Sequence, residues 1–160
     1  MTHDDDVATV AKLIKDAKIA MLTTVDGGGA LVSRPMGVQD VEYDGDLWFF
    51  ADAESHKVHE IEAGSPANAA FADSTAWVSV SGSAEVVRSL AKIKELWGPT
   101  AEAWFPDGPE TPGVVLIVLR GETAEYWHAP GGKLTTAFSL VKAKVKGERY
   151  DGGENETVEL

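Results

Sequence analysis

An apolar run, a glycine-rich turn and a second apolar run commit the start of this chain to antiparallel β structure. Ile19 to Val25 reads as a buried strand, Asp26-Gly27-Gly28-Gly29 as a tight turn, and Ala30 to Val38 as the returning partner. The pattern recurs along the chain. Tyr43-Asp44-Gly45-Asp46 makes the next turn, and Leu47 to Ala51 is a short, strongly apolar strand. Ala67 to Ala72 is a strand of small residues. Ala76 to Arg88 alternates, with Trp77, Ser79, Ser81 and Ser83 on one face and Val78, Val80, Gly82 and Ala84 on the other. Gly113 to Leu119 is the most apolar strand, and Gly121 to His128 forms another, closed by Pro130-Gly131-Gly132.

Helical spacing appears between these strands. Val7 to Ala17 is amphipathic, and the Asp4–Asp6 run suits the positive end of a helix dipole. Ser55 reads as the N-cap of a helix that Gly64-Ser65-Pro66 ends. Ser89 to Trp97 reads as a helix stopped by Gly98-Pro99, with Trp104 to Pro109 an irregular connection. Leu134 to Val145 is a further predicted helix, before a polar, acidic tail from Gly147. This order lacks the regular alternation of a parallel α/β fold. The expected architecture is mainly β, an antiparallel barrel with peripheral helices. With no internal repeat and no dividing linker, residues 1–160 are expected to form a single domain.

Composition narrows the function classes. The absence of cysteine excludes disulfides, thiolate metal sites and cysteine nucleophiles. A net charge of −12 disfavours nucleic acid and anionic membrane surfaces as partners. No segment approaches the roughly 18 apolar residues of a membrane span. Asp4-Asp5-Asp6 stands where a secretory leader would be basic, so a cytoplasmic protein is expected.

With 14 Lys and Arg against 26 Asp and Glu, an anion site must be built locally. Two segments combine an apolar strand with a cationic end. The first is Ser33-Arg34-Pro35-Met36. Pro35 cannot donate to a ladder, so it belongs at an edge or bulge, where backbone near Met36 and Gly37 is left to meet a ligand. An edge proline beside a surface arginine also accounts for that spacing. The second segment is Phe49-Phe50-Ala51 followed by Ser55-His56-Lys57. A cation in a first helical turn opposes the helix dipole, and a bound phosphate beside His56 and Lys57 would relieve that conflict.

Other residues point less sharply. His56 and His59 lack convincing metal spacing with carboxylates. No serine has a nucleophile elbow or a paired base, and Gly27-Gly28-Gly29 is no phosphate-loop fingerprint. Trp48 and Trp97 are expected in the core. Trp77 and Trp127 stand on strands beside small or polar residues, where either ordinary burial or packing on a ligand ring would suit them.

Taken in order, these segments resemble the pyridoxamine 5'-phosphate oxidase-like superfamily, and within it the general stress protein branch of flavin-binding split barrels. The matching pieces include Ile19–Val25, Ser33–Met36, Leu47–Ala51, Ser55-His56-Lys57, Trp77–Gly82, Trp104–Gly108, Val114–Leu119 and Ala124–Trp127. The resemblance implies a split β-barrel homodimer with flavin mononucleotide (FMN) at the subunit interface. It implies that Arg34 and Lys57 hold the phosphate, with Ser55 and His56 alongside. Pro35, Met36 and Gly37 would offer backbone to the ring, Phe50 and Ala51 would lie beneath it, and Trp77 and Trp127 would lie near it.

Two departures bear on activity. The arginine-rich C-terminal substrate motif of the true oxidases is replaced by Glu154-Asn155-Glu156-Thr157-Val158-Glu159-Leu160, and Gln39 stands where those enzymes carry a lysine. Oxidation of pyridoxamine phosphate is therefore not expected. The expected function is an FMN-dependent oxidoreductase linked to stress, its substrate unspecified. A flavin carrier, buffer or sensor is the alternative. A deazaflavin reductase ranks last, because this acidic chain shows no long basic groove.

Overall fold

The structure is a computed structural model, and it describes residues 3–39, 41–128 and 154–160. Asp26 closes the first hairpin: its carboxylate accepts from the N–H groups of Gly28 and Ala30, each at 2.9 Å, while Gly29 adopts φ +83°. Strands β1 (Ile19–Val25) and β2 (Leu31–Gly37) flank that turn and pair from Ile19 opposite Gly37 to Val25 opposite Leu31. The remaining strands are β3 (Asp46–Asp52), β4 (Ala67–Ala72), β5 (Ala76–Val87), β6 (Val114–His128) and β7 (Glu154–Glu159). Four helices accompany them among the described residues: α1 (His3–Asp16), α2 (His56–Glu62), α3 (Leu90–Leu96) and α4 (Pro99–Trp104).

All strand pairs are antiparallel, in the order β2-β1-β4-β5-β6-β3, with β7 also on β6. The long strand β6 organises the sheet. One edge runs along β5, while the other carries β3 on Val114–Arg120 and β7 on Thr123–His128. The ends of the order, β2 and β3, share no ladder, so the barrel is split between them. This is the mainly β, antiparallel split barrel that the sequence predicts.

A bulge bends β6 against β5. Gly82 faces Gly121 and Ser81 faces Thr123, which leaves Glu122 as the extra residue. A Cβ on residue 82 would stand 1.8 Å from the Arg120 carbonyl oxygen, so the approach requires glycine.

The main core fills the curl of the sheet with Leu22, Phe49, Val80, Ile117, Leu119 and Tyr126. Helix α1 adds Val10 and Ile14, and α2 adds Val58 and Ile61. The Tyr126 hydroxyl donates to Asp6 Oδ1 at 3.2 Å and ties α1 to β6. A smaller cluster on the other face of β3 joins Ile93 and Leu96 of α3 to Val114 and Leu116. Trp48 and Trp97, expected in the core, are partly buried against this second cluster.

Three expectations need correction. The two strands read over Gly113–Leu119 and Gly121–His128 are one strand, because Gly121 serves the bulge and not a turn. The polar tail contributes β7. Gly98-Pro99 ends α3 but also starts α4, with Gly98 as N-cap and Pro99 in the first turn. The predicted helix over Leu134–Val145 and the closing Pro130-Gly131-Gly132 lie outside the described residues.

Candidate functional site: a cleft at the split in the barrel

The free edge of β2 explains the proline. Val38 N–H donates to the Lys18 carbonyl at 3.0 Å. Antiparallel alternation therefore turns the N–H and C=O of Gly37, and the nitrogen of Pro35, away from β1. Pro35 loses no ladder bond there. Gln39 Nε2 donates to the outward Gly37 carbonyl at 3.3 Å.

A cleft of about 320 Å³ opens beside this edge, within the roughly 300–1,000 Å³ range of small-molecule sites. Strand β2 lines it with Pro35, Met36 and Gly37, β3 with Phe50, Ala51 and Asp52, and α2 with Lys57. Helix α4 adds Thr100, Ala101 and Trp104, with Phe105 just beyond it. The walls approach closely: a Cβ on Gly37 would stand 2.8 Å from Thr100 Cγ2. Phe50 meets Trp97 edge to face, centroids 5.4 Å apart at 85°. Trp104, by contrast, is 74% exposed.

Lys57 is the cation of the cleft. Burial lowers its pKa from the ordinary lysine value and the nearby Arg34 charge lowers it further, while Asp52 and Glu60 act in the opposite sense. The conflict between a first-turn cation and the helix dipole is thus partly met by the protein's own carboxylates. Helix α2 is also only seven residues long.

Arg34 does not line the cleft. Its NH1 donates to Thr24 Oγ1 at 2.6 Å and to the Leu22 carbonyl at 3.3 Å, and its NH2 pairs with Glu60 Oε2 at 3.2 Å. Thr24 Oγ1 in turn donates to Glu60 Oε2 at 2.5 Å. Thr24 shares the inward parity of Ala20 and Leu22 on β1, so its buried hydroxyl needs a partner.

The other expected site residues divide. Pro35, Met36, Gly37, Phe50, Ala51 and Lys57 come together in one cleft. Ser55 is the N-cap residue of α2, with extended φ −72° and ψ 149°, but its hydroxyl donates to the Asp52 carbonyl at 2.6 Å and caps no amide. Neither Ser55 nor His56 lines the cleft. Trp77 and Trp127 face one another across β5 and β6, away from it, and Trp77 is 43% exposed. Asp52, the α4 residues, Thr24 and Glu60 were not anticipated. The parity of Thr24 on its strand was the available signal for its burial; no local signal marks Glu60. Among the described residues, no group of three His, Asp or Glu is placed to hold a metal, and no helix is long and apolar enough to cross a membrane.

Known proteins share this framework. Residues 5–151 match the family described as pyridoxamine 5'-phosphate oxidase like. Protein bli-3 of Neurospora crassa is 33% identical over 135 residues, which cover 77% of this chain and 65% of bli-3, so the match leaves about a third of that relative unspanned. A Jannaschia sp. CCS1 crystal structure, named for general stress protein 26, superposes with TM-score 0.76 at 25% identity, covering 99% of this chain and all of that one. The general stress FMN/FAD binding protein of Xanthomonas citri superposes with TM-score 0.68 at 27% identity, over 82% of this chain and 93% of its own. With its split barrel and a match along most of its length, this chain belongs to the pyridoxamine 5'-phosphate oxidase-like family.

Proposed function

We propose that the chain binds FMN in this cleft and acts as a flavin-dependent oxidoreductase on a small molecule. The observation that carries the reading is the meeting of three features in one cavity: the outward backbone of Gly37, the Phe50 ring on β3 and the cation of Lys57. Outward N–H and C=O groups suit the polar edge of a flavin ring. The Phe50 ring suits its face, and Lys57 suits its phosphate. Bound flavin would supply the hydride chemistry, and the protein would supply position and charge.

With this reading go a homodimer and a cytoplasmic setting. The outer face of the sheet carries exposed Ile19, Met21 and Trp77, apolar side chains of the kind that interfaces cover. Trp77 and Trp127 lie on that face. A second copy seated there would cover both rings. Sedimentation tests this part: a flavin-loaded monomer would contradict an interface site.

Anaerobic mixing of the flavin-loaded protein with reduced nicotinamide cofactors tests the activity. Bleaching of the flavin followed by repeated turnover with an electron acceptor is the expected result. Stoichiometric binding with no reduction would instead identify a carrier or sensor.

A further inference from the structure

Arg34 is close to the cleft but occupied elsewhere. Its guanidinium and the Glu60 carboxylate are mostly buried, 19% and 12% exposed, whereas the Arg88–Glu62 and Lys94–Glu110 pairs lie largely in solvent. Glu60 Oε2 receives both Arg34 NH2 and the Thr24 hydroxyl, and that hydroxyl also accepts from Arg34 NH1. The three side chains form a closed network. Backbone bonds fix its carboxylate end. Ser65 N–H donates to the Glu60 carbonyl at 3.0 Å, and Ser65 Oγ accepts from Val25 N–H at 2.8 Å, so the end of α2 is tied to β1.

We propose that Glu60 is an internal competitor of the flavin phosphate: it holds Arg34 beside the cleft, and a phosphate gains Arg34 only by drawing it from Glu60. This rests on the flavin reading above. The charges support it. Arg34 and Lys57 bring two positive charges, and Asp52 and Glu60 cancel them with two negative ones. A phosphate dianion therefore meets a locally neutral site. Removing the charge of residue 60 leaves a surplus cation beside the phosphate. Glu60 thereby sets how strongly the site prefers a phosphorylated flavin to one without phosphate.

The test compares dissociation constants for FMN and riboflavin, which share the ring and differ in the phosphate. Glu60→Gln keeps the size and hydrogen bonds of the side chain and removes its charge. It is expected to tighten FMN binding by about tenfold or more, the scale of one unit charge a few ångströms away, and to leave riboflavin unmoved. Glu60→Asp draws the carboxylate back from Arg34; it gives a smaller gain in the same direction and serves if the glutamine variant does not fold. FMN binding that ignores both substitutions, or an equal change for both flavins, overturns the proposal alone. Failure of the unaltered protein to bind either flavin overturns the flavin reading with it.

Discussion

Gly37 and Thr100 hold the two walls of the cleft so close that a methyl group on residue 37 would stand 2.8 Å from Thr100 Cγ2. Something must shift if alanine replaces that glycine. Gly37→Ala is expected to weaken flavin binding by about 1–2 kcal/mol, the scale of modest overpacking. Thr100 is exposed, so the fold itself should suffer less than the site. Adding Thr100→Ser, which removes the clashing methyl, should restore affinity. Titration of the single and double variants checks this; no rescue would mean the walls are not in register as described.

Lys57 is the lining cation, so its loss should act through the phosphate. Lys57→Ala is expected to weaken FMN binding by about 1.5–3 kcal/mol, the range for hydrogen bonds to charged groups, and to leave riboflavin binding unchanged. Equal loss for both ligands would assign Lys57 to packing instead.

The same lysine gives binding a pH dependence. Burial and Arg34 hold its pKa below the ordinary lysine value. A bound phosphate favours the charged form, so binding takes up a proton wherever free Lys57 is neutral. FMN affinity should therefore fall as pH rises through the lowered pKa, at a pH below the usual lysine range. Riboflavin titrated over the same range should show no such fall.

Much of the scaffold was legible in the sequence because its signals were local. Asp26-Gly27-Gly28-Gly29 demands a turn, and Ala67–Ala72 begins and ends where its small residues do. Lys57 stood out because a first-turn cation is anomalous. The unread parts depend on long-range placement. Glu60 looks like any polar helix residue until α2 is set against Thr24. Glu154-Asn155-Glu156-Thr157-Val158-Glu159 is too polar to announce a strand, and β6 supplies its ladder. Gly98-Pro99 serves two helices, and reading only its stop signal hid the α4 wall.

Tyr43 offers a test of packing away from the cleft. Its hydroxyl is buried with no hydrogen-bond partner among the described residues. Burial, with Asp46 and Asp44 nearby, pushes its pKa up to about 12. The unfolded chain ionises near the ordinary tyrosine value, so stability should be intact below about pH 10 and decline as pH rises toward 12. Tyr43→Phe should be neutral or stabilising at neutral pH, since it removes an unsatisfied group, and should flatten the alkaline decline. Thermal unfolding of both proteins across that range reads both effects.

The bulge makes a stricter demand. Because a Cβ on residue 82 would overlap the Arg120 carbonyl oxygen, Gly82→Ala should cost about 3 kcal/mol. Denaturant unfolding measures it, and a loss within experimental error would contradict the described β5–β6 register.

The most direct measurement is an FMN titration of the purified protein, followed by removal of unbound ligand and a visible absorption spectrum. Retention of flavin in stoichiometric amount, lost in Lys57→Ala, is the predicted result. A colourless protein after saturation with FMN, or retention that ignores Lys57, would contradict the placement of a flavin phosphate in this cleft.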